Sequence, residues 1–255
     1  MPAISLAQVR AVLKTPPVFP EGQPKLQTNL DTDFLKLIAI VSMLLDHIGG
    51  ALFPSVPAFR WAGRLAFPIF CYCMTVGLLY TRDVRKYLVR LGLFALISQP
   101  LYILAFHPWD WRTEWSNMNI YFTLAVSLLG MVGVKERKWR WFLLAFVLLS
   151  FINFDYSVNG LLLMLIFYLC RNKPGLGAAL FLLSYLPALW SGDPADPRSI
   201  ALGSVWVDWT AFAMLPALVI FPRTHTNIHI NKYFFYIFYP AHLAVIGLVR
   251  LALRV

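Results

Sequence analysis

Residues 33–49 read DFLKLIAIVSMLLDHIG: an acidic start, a long apolar run with one early lysine, then Asp46 and His47 side by side before a glycine. A run of this length is enough to cross a bilayer as a helix, which takes about 17–25 residues. The Asp-His pair would then sit at one end of the span.

The same pattern recurs outward along the chain. Apolar runs lie near 34–53, 64–80, 88–106, 118–134, 139–154, 157–170, 175–190, 200–221 and 233–253. The sixth and seventh are short and lean on Gly160, Gly175 and Pro187, which leaves eight spans with a re-entrant piece as the other count. Composition agrees: 59% of the 255 residues are hydrophobic and 13% charged, against about 25% charged in soluble domains. Mean hydropathy is +0.66. The expected fold is an all-α polytopic membrane bundle of about nine transmembrane helices over residues 33–255. Residues 1–32 read as a proline-rich cytoplasmic arm whose weakly amphipathic stretch, 4–13, is interrupted by Arg10 and is either a membrane-surface segment or part of a mobile tail, not a signal peptide.

Loop charges orient the bundle. Arg10, Lys14 and Lys25, then Arg82, Arg85, Lys86 and Arg90, then Lys135, Arg137, Lys138 and Arg140, then Arg171 and Lys173, then Arg223 and Lys232 alternate with loops holding only Arg60, Arg64, Arg112, Arg198 and Arg254. Positive residues are retained on the cytoplasmic side, so the amino terminus is expected inside. The net charge of +10 is thereby a matter of topology; no basic stripe interleaved with aromatics suggests nucleic acid. Cys71, Cys73 and Cys170 make neither a disulfide framework nor a zinc pattern. His225 and His229 are spaced i, i+4 in a basic loop, with no third ligand evident, so no metal is expected.

Ionisable groups at helical depth are costly and tend to mark function. Asp46, His47, Arg64, Asn119 and Asp155 all fall near the outer ends of their segments, Asp208 lies in the eighth run, and His242 is mid-helix in the ninth. Neighbouring helical residues point about 100° apart, so Asp46 can serve Arg64 while His47 faces elsewhere. The outer stretch 107–119, with Trp109, Trp111 and Trp115, reads as an aromatic belt or as part of a substrate mouth.

Several strings go beyond composition: DFLKLIAIVSMLLDHIG at 33–49, GRLAFPIF at 63–70, NIYFTL at 119–124, DYSVNG at 155–160 and NKYFFYIFYPAHL at 231–243. Together they resemble the TraX family of bacterial integral membrane proteins, whose founding member acetylates the amino terminus of conjugative pilin. Asp33, Lys36, Ala39 and His47 are also similar in spacing to the opening helix of membrane acyltransferase family three, where arginine usually stands at the Lys36 position. The resemblance implies a transmembrane acetyltransferase of the bacterial inner membrane. Its donor would be cytoplasmic acetyl-CoA and its acceptor an exported peptide or pilin amine, or a glycan or lipid hydroxyl. On that basis His47 is the candidate base or nucleophile and His242 a second candidate. Arg64 or Asn119 would hold the oxyanion, Asp46 and Asp155 would orient, and Arg82, Arg85, Lys86, Arg90 and Lys232 would dock the donor phosphates. Two other readings use the same residues: a small-anion or proton-coupled transporter, and a non-catalytic assembly protein in which the polar cluster only fixes helix packing.

Overall fold

The computed structural model describes residues 25–110 and 114–254, apart from the side chains of Glu114 and Lys232. The amphipathic stretch at 4–13 and the Trp111 and Arg112 positions lie outside the described residues. The described chain is an all-α bundle with one small hairpin. In order come α1 (Thr32–Ala51), α2 (Pro57–Gly63), α3 (Ala66–Tyr80), α4 (Val84–Phe106), α5 (Ile120–Lys135), α6 (Trp139–Phe151), α7 (Asn159–Leu169) and α8 (Pro174–Tyr185). They are followed by the strands β1 (Ile200–Leu202) and β2 (Val205–Val207), a 3₁₀ segment (Trp209–Met214), α9 (Ala217–Ile220) and α10 (Lys232–Leu253).

Among the described residues four helical segments are long and apolar enough to cross a membrane: Thr32–Ala51, Pro57–Tyr80, Val84–Phe106 and Tyr233–Leu253. Ile120–Lys135, Trp139–Phe151, Asn159–Leu169, Pro174–Leu189 and Trp209–Ile220 are apolar but shorter. The expectation of nine full spans is corrected most clearly at 200–221. Gly203, at φ +63°, turns the chain between Leu202 and Val205, and a two-residue turn that starts on glycine pairs two strands. The run is therefore a hairpin, a 3₁₀ turn and one short helix. Asp208 caps the 3₁₀ turn by accepting from the Thr210 amide at 2.8 Å.

α3 is the middle of the bundle: Phe67, Ile69, Cys71, Tyr72, Leu78 and Leu79 are all buried. On α1 the buried positions Leu35, Ala39, Ser42, Met43 and Asp46 form one helical stripe, so the apolar face ends on a carboxylate. Small residues let α5 and α6 approach closely. A methyl at Gly130 would lie 2.8 Å from Cβ of Ala145, and one at Gly133 would lie 2.9 Å from the Lys138 carbonyl. Large apolar side chains such as Leu96, Phe151, Leu183 and Leu248 face outward, as a lipid-facing surface requires.

The cationic loops do share one end. Lys135 donates to the Leu78 carbonyl at 2.7 Å and Lys25 to that of Leu79 at 3.1 Å, filling carbonyls left open where α3 stops. Arg223 Nε donates to the Gln27 carbonyl, and the Gln27 amide to that of Arg171. The fully buried Asn29 ties this end together: its amide nitrogen donates to the Val219 carbonyl at 2.8 Å and to the Thr224 hydroxyl at 2.9 Å, and its side-chain oxygen accepts from the Asp31 amide. At the far end Arg250 donates to the carbonyls of Ala105 and Phe106, closing the C-terminus of α4. Asn29→Ala strands several buried polar groups at once. It is expected to cost about 1–3 kcal/mol, read as a lower melting temperature of the detergent-purified protein.

Candidate functional site

At the end opposite Asn29, the carboxylate of Asp46 sits between two arginines. Arg64 Nη2 reaches Oδ1 at 2.7 Å and Arg60 Nη1 reaches Oδ2 at 2.9 Å. The local sequence explains the approach. Pro57 starts α2, Gly63 ends it, and a side chain at Gly63 would fall on the Asp46 carboxyl itself. The Ser42 hydroxyl donates to the Ala62 carbonyl one turn earlier. Asp46 thus serves the arginines, and His47, rotated away on the helix, faces α10. There its Nδ1 meets His242 Nε2 at 2.6 Å, with Tyr239 and Phe106 set edge-on around its ring.

The arginines are held from the other side by aromatics. Trp209 lies beneath Arg64 at 4.3 Å, Arg198 at 4.4 Å and Arg60 at 5.1 Å from its ring centre; cations stack on an indole face in this manner. Tyr156 packs face to face on Phe67 at 3.8 Å and carries Arg64 5.4 Å from its own ring centre. Tyr156 and Ser157 both have positive φ, 61° and 47°. This costly left-handed pair turns the chain sharply just after Asp155. The Asp155 amide donates to the Met118 carbonyl, and its carbonyl accepts from the Thr123 hydroxyl at 2.6 Å.

These residues line an open cavity of about 750 Å³ that includes Asp46, His47, Arg60, Arg64, Asp155 and Arg198. A small space of about 40 Å³, which shares Asp46, His47, Asp155 and Tyr156 with it, is also lined by Phe67 and Phe70. Phe70 is also a wall of a third cavity of about 350 Å³, which holds Lys36 and Arg90 among the rings of Tyr80, Tyr87 and Tyr236. Lys36 and His47 are eleven positions apart on α1, about 16 Å along a helix, so the two larger cavities approach from opposite ends.

Of the residues singled out in the sequence, Asp46, His47, Arg64, Asp155 and His242 come together. Asn119 does not join them. Fully buried, it caps α5 by accepting from the Tyr121 amide and donates to the Ala95 carbonyl and to Gln99; its polar atoms are committed to tying α4 to α5. Arg90 lines the third cavity, whereas Arg82, Arg85 and Lys86 are exposed at the start of α4, with Lys86 paired to Asp83. Lys232 opens α10, and its side chain is outside the described residues. His225 and His229 fall in a stretch without helix, so their i, i+4 spacing does not align them. Among the described residues no group of three potential ligands gathers to hold a metal. Arg60, Arg198, Tyr156, Trp209 and Lys36 complete the setting. Arg60 and Arg198 were legible only as positive charges on the sparsely charged side, and Trp209 was hidden in a run that read as a span.

Asp46→Asn leaves Arg60 and Arg64 without a counter-charge. It is expected to destabilise the protein by about 3–5 kcal/mol, seen in thermal unfolding. Asp155, in the turn between α6 and α7, is pushed by desolvation from 3.8 to about 6, against the opposing pull of Arg64. The folded carboxyl therefore keeps its proton where the unfolded one has lost it. Stability should fall as pH rises through that window, and Asp155→Asn should flatten this part of the melting temperature profile.

The TraX protein family profile matches residues 31–250. The chain is 29% identical over 244 residues to a probable fimbrial assembly protein FimC, serogroup H1, of Dichelobacter nodosus, covering 86% of this chain and 96% of that protein. It is 28% identical over 231 residues to the protein TraX of Escherichia coli, covering 86% of this chain and 87% of that protein. No solved structure matches.

Proposed function

The chain belongs to the TraX family, and from that membership and the site geometry we propose that it is an integral membrane acetyltransferase that moves an acetyl group from cytoplasmic acetyl-CoA to an acceptor on the other side. One observation carries the reading. His47 lines both the large open cavity and the small space, and Phe70 is common to that small space and the cavity holding Lys36 and Arg90. A thioester arm entering from the cationic end would bring its carbonyl to the histidine, and an acceptor entering from the opposite end would meet it there. In this reading the Lys36 and Arg90 end faces the cytoplasm of a bacterial inner membrane, where basic loops are retained. The exposed Arg82, Arg85 and Lys86, with Lys232, would attract the donor's phosphates.

His47 acts as the base on the acceptor amine or hydroxyl. The Arg64 Nε–H is buried with no partner in the structure. A buried donor left open beside a reaction space is what a developing oxyanion needs, and Asp46 holds the guanidinium in place. Asp155 contributes a second carboxyl to the same wall. A relative whose name assigns it to fimbrial assembly supports an exported pilin or peptide amine as acceptor, with glycan and lipid hydroxyls as the other classes the open cavity suits.

The test is release of free CoA from acetyl-CoA by the protein in nanodiscs. His47→Ala is expected to lower the rate about 10²- to 10⁴-fold while acetyl-CoA still raises its melting temperature. Unaltered release would remove His47 from the chemistry. No release and no thermal shift, together with proton-coupled anion flux, would favour the transporter. Arg90→Ala should raise the donor KM about tenfold, the worth of roughly 1.4 kcal/mol of lost charge-assisted binding, with little change in kcat.

A further inference from the structure

We propose that His242 is a positioning residue that fixes the tautomer of His47, so that His47 Nε2 is the basic atom of the site. The chemistry rests on the acetyltransferase reading; the tautomer assignment rests on geometry with both histidines neutral. His242 Nδ1 lies 2.8 Å from the carbonyl oxygen of Phe238, one turn back on its own helix. A carbonyl only accepts, so Nδ1 carries a proton. In a neutral imidazole the other nitrogen is then an acceptor. That nitrogen, Nε2, is 2.6 Å from His47 Nδ1. The two rings are 19° apart with centres 4.9 Å from each other. That separation is about the nitrogen–nitrogen distance plus the two ring radii, so the imidazoles meet edge to edge in nearly one plane and the contact is a hydrogen bond. His47 Nδ1 must therefore donate, and His47 Nε2 keeps its lone pair.

The backbone carbonyl of Phe238 thus sets the protonation pattern of a residue on another helix through one intermediate ring. A carboxylate does this for a histidine in other active sites. Here the neighbouring carboxylate, Asp46, is committed to Arg60 and Arg64. The titratable groups around His47 are Asp46 from its own helix, Arg60 and Arg64 from α2 and its end, Tyr102 and His107 from α4 and its end, Asp155 and Tyr156 from the α6–α7 turn, and Asp193, Asp196 and Arg198 from the loop before β1; among its described residues α10 brings His242 and Tyr239. As the acceptor nitrogen or oxygen bonds to the thioester carbonyl carbon, its proton passes to His47 Nε2. The imidazolium so formed holds its Nδ1–H against the lone pair of His242. When the C–S bond breaks, the proton goes to sulfur, CoA leaves as the thiol, and both histidines are as they began.

Histidine-selective ¹⁵N NMR of the full chain in nanodiscs reads the tautomer without any turnover. Both residues are expected neutral with the proton on Nδ1, the less common form of free histidine, and His47 should lose that preference in His242→Leu. A proton on His47 Nε2 in the unaltered protein would overturn the proposal even if no acetyl transfer is ever found. Kinetics gives the second arm. His242→Leu is expected to lower kcat about 10- to 100-fold with the donor KM within about twofold. His242→Gln, whose amide oxygen can accept from His47 Nδ1, should recover most of that loss. If Gln is as inactive as Leu while His47 keeps its tautomer, His242 itself reacts. If Leu keeps full kcat and only melts earlier, the residue is packing. Either result sinks the positioning role, whereas failure of the unaltered protein to release CoA would sink only the acetyltransferase reading.

Discussion

The end of the bundle that holds the candidate site depends on one carboxylate. Asp46 closes the buried stripe of α1 and accepts from Arg60 and Arg64 at once. Two guanidiniums at the end of an apolar bundle would be costly without it, because removing charge from water is repaid only by close partners. The pairing also determines where α2 ends, since the approach of Asp46 leaves no room for a side chain at Gly63. From that junction Arg64 reaches the ring faces of Trp209 and Tyr156, and the chain segments carrying those rings are drawn over the cavity. A single ion triad therefore joins α1, α2, the α6–α7 turn and the 3₁₀ segment.

With the arginines satisfied, the histidines are left to each other. His47 is adjacent to Asp46 in sequence yet makes its hydrogen bond with His242, because successive helical positions diverge by about 100°. The result is a division along one helix turn: Asp46 faces the arginines and His47 faces His242.

The opposite end is built from weaker but more numerous interactions. Lysines fill the open carbonyls at the end of α3, and Asn29 gathers the approach to α1, the end of α9 and the loop after it. This end is polar at its rim and apolar within, where Lys36 and Arg90 stand among tyrosines. Phe70 is the shared wall between that space and the small one at His47. The shared wall thus follows from how α1, α3, α4, α5 and α10 surround one another.

The sequence by itself determined that the chain is a helical membrane protein, which of its loops share an end, and that Asp46, His47, Arg64 and Asp155 lie at a common depth. Each of these follows from apolar run length or from charge position, properties local to a segment. The hairpin at 200–207 was legible in principle, since Gly203 and Ser204 separate two short apolar stretches, but the apolar length of the whole run outweighed that local turn. Only the tertiary structure decided that Asn119 is a cap and not part of the site, that Trp209 supports three arginines, and that His242 meets His47. Those outcomes depend on which faces of distant helices pack together. Contacts such as that of His47 with His242, 195 positions apart, arise from the register and rotation of whole helices, set by close-packed small residues and the ion triad, and no pattern within one segment encodes them.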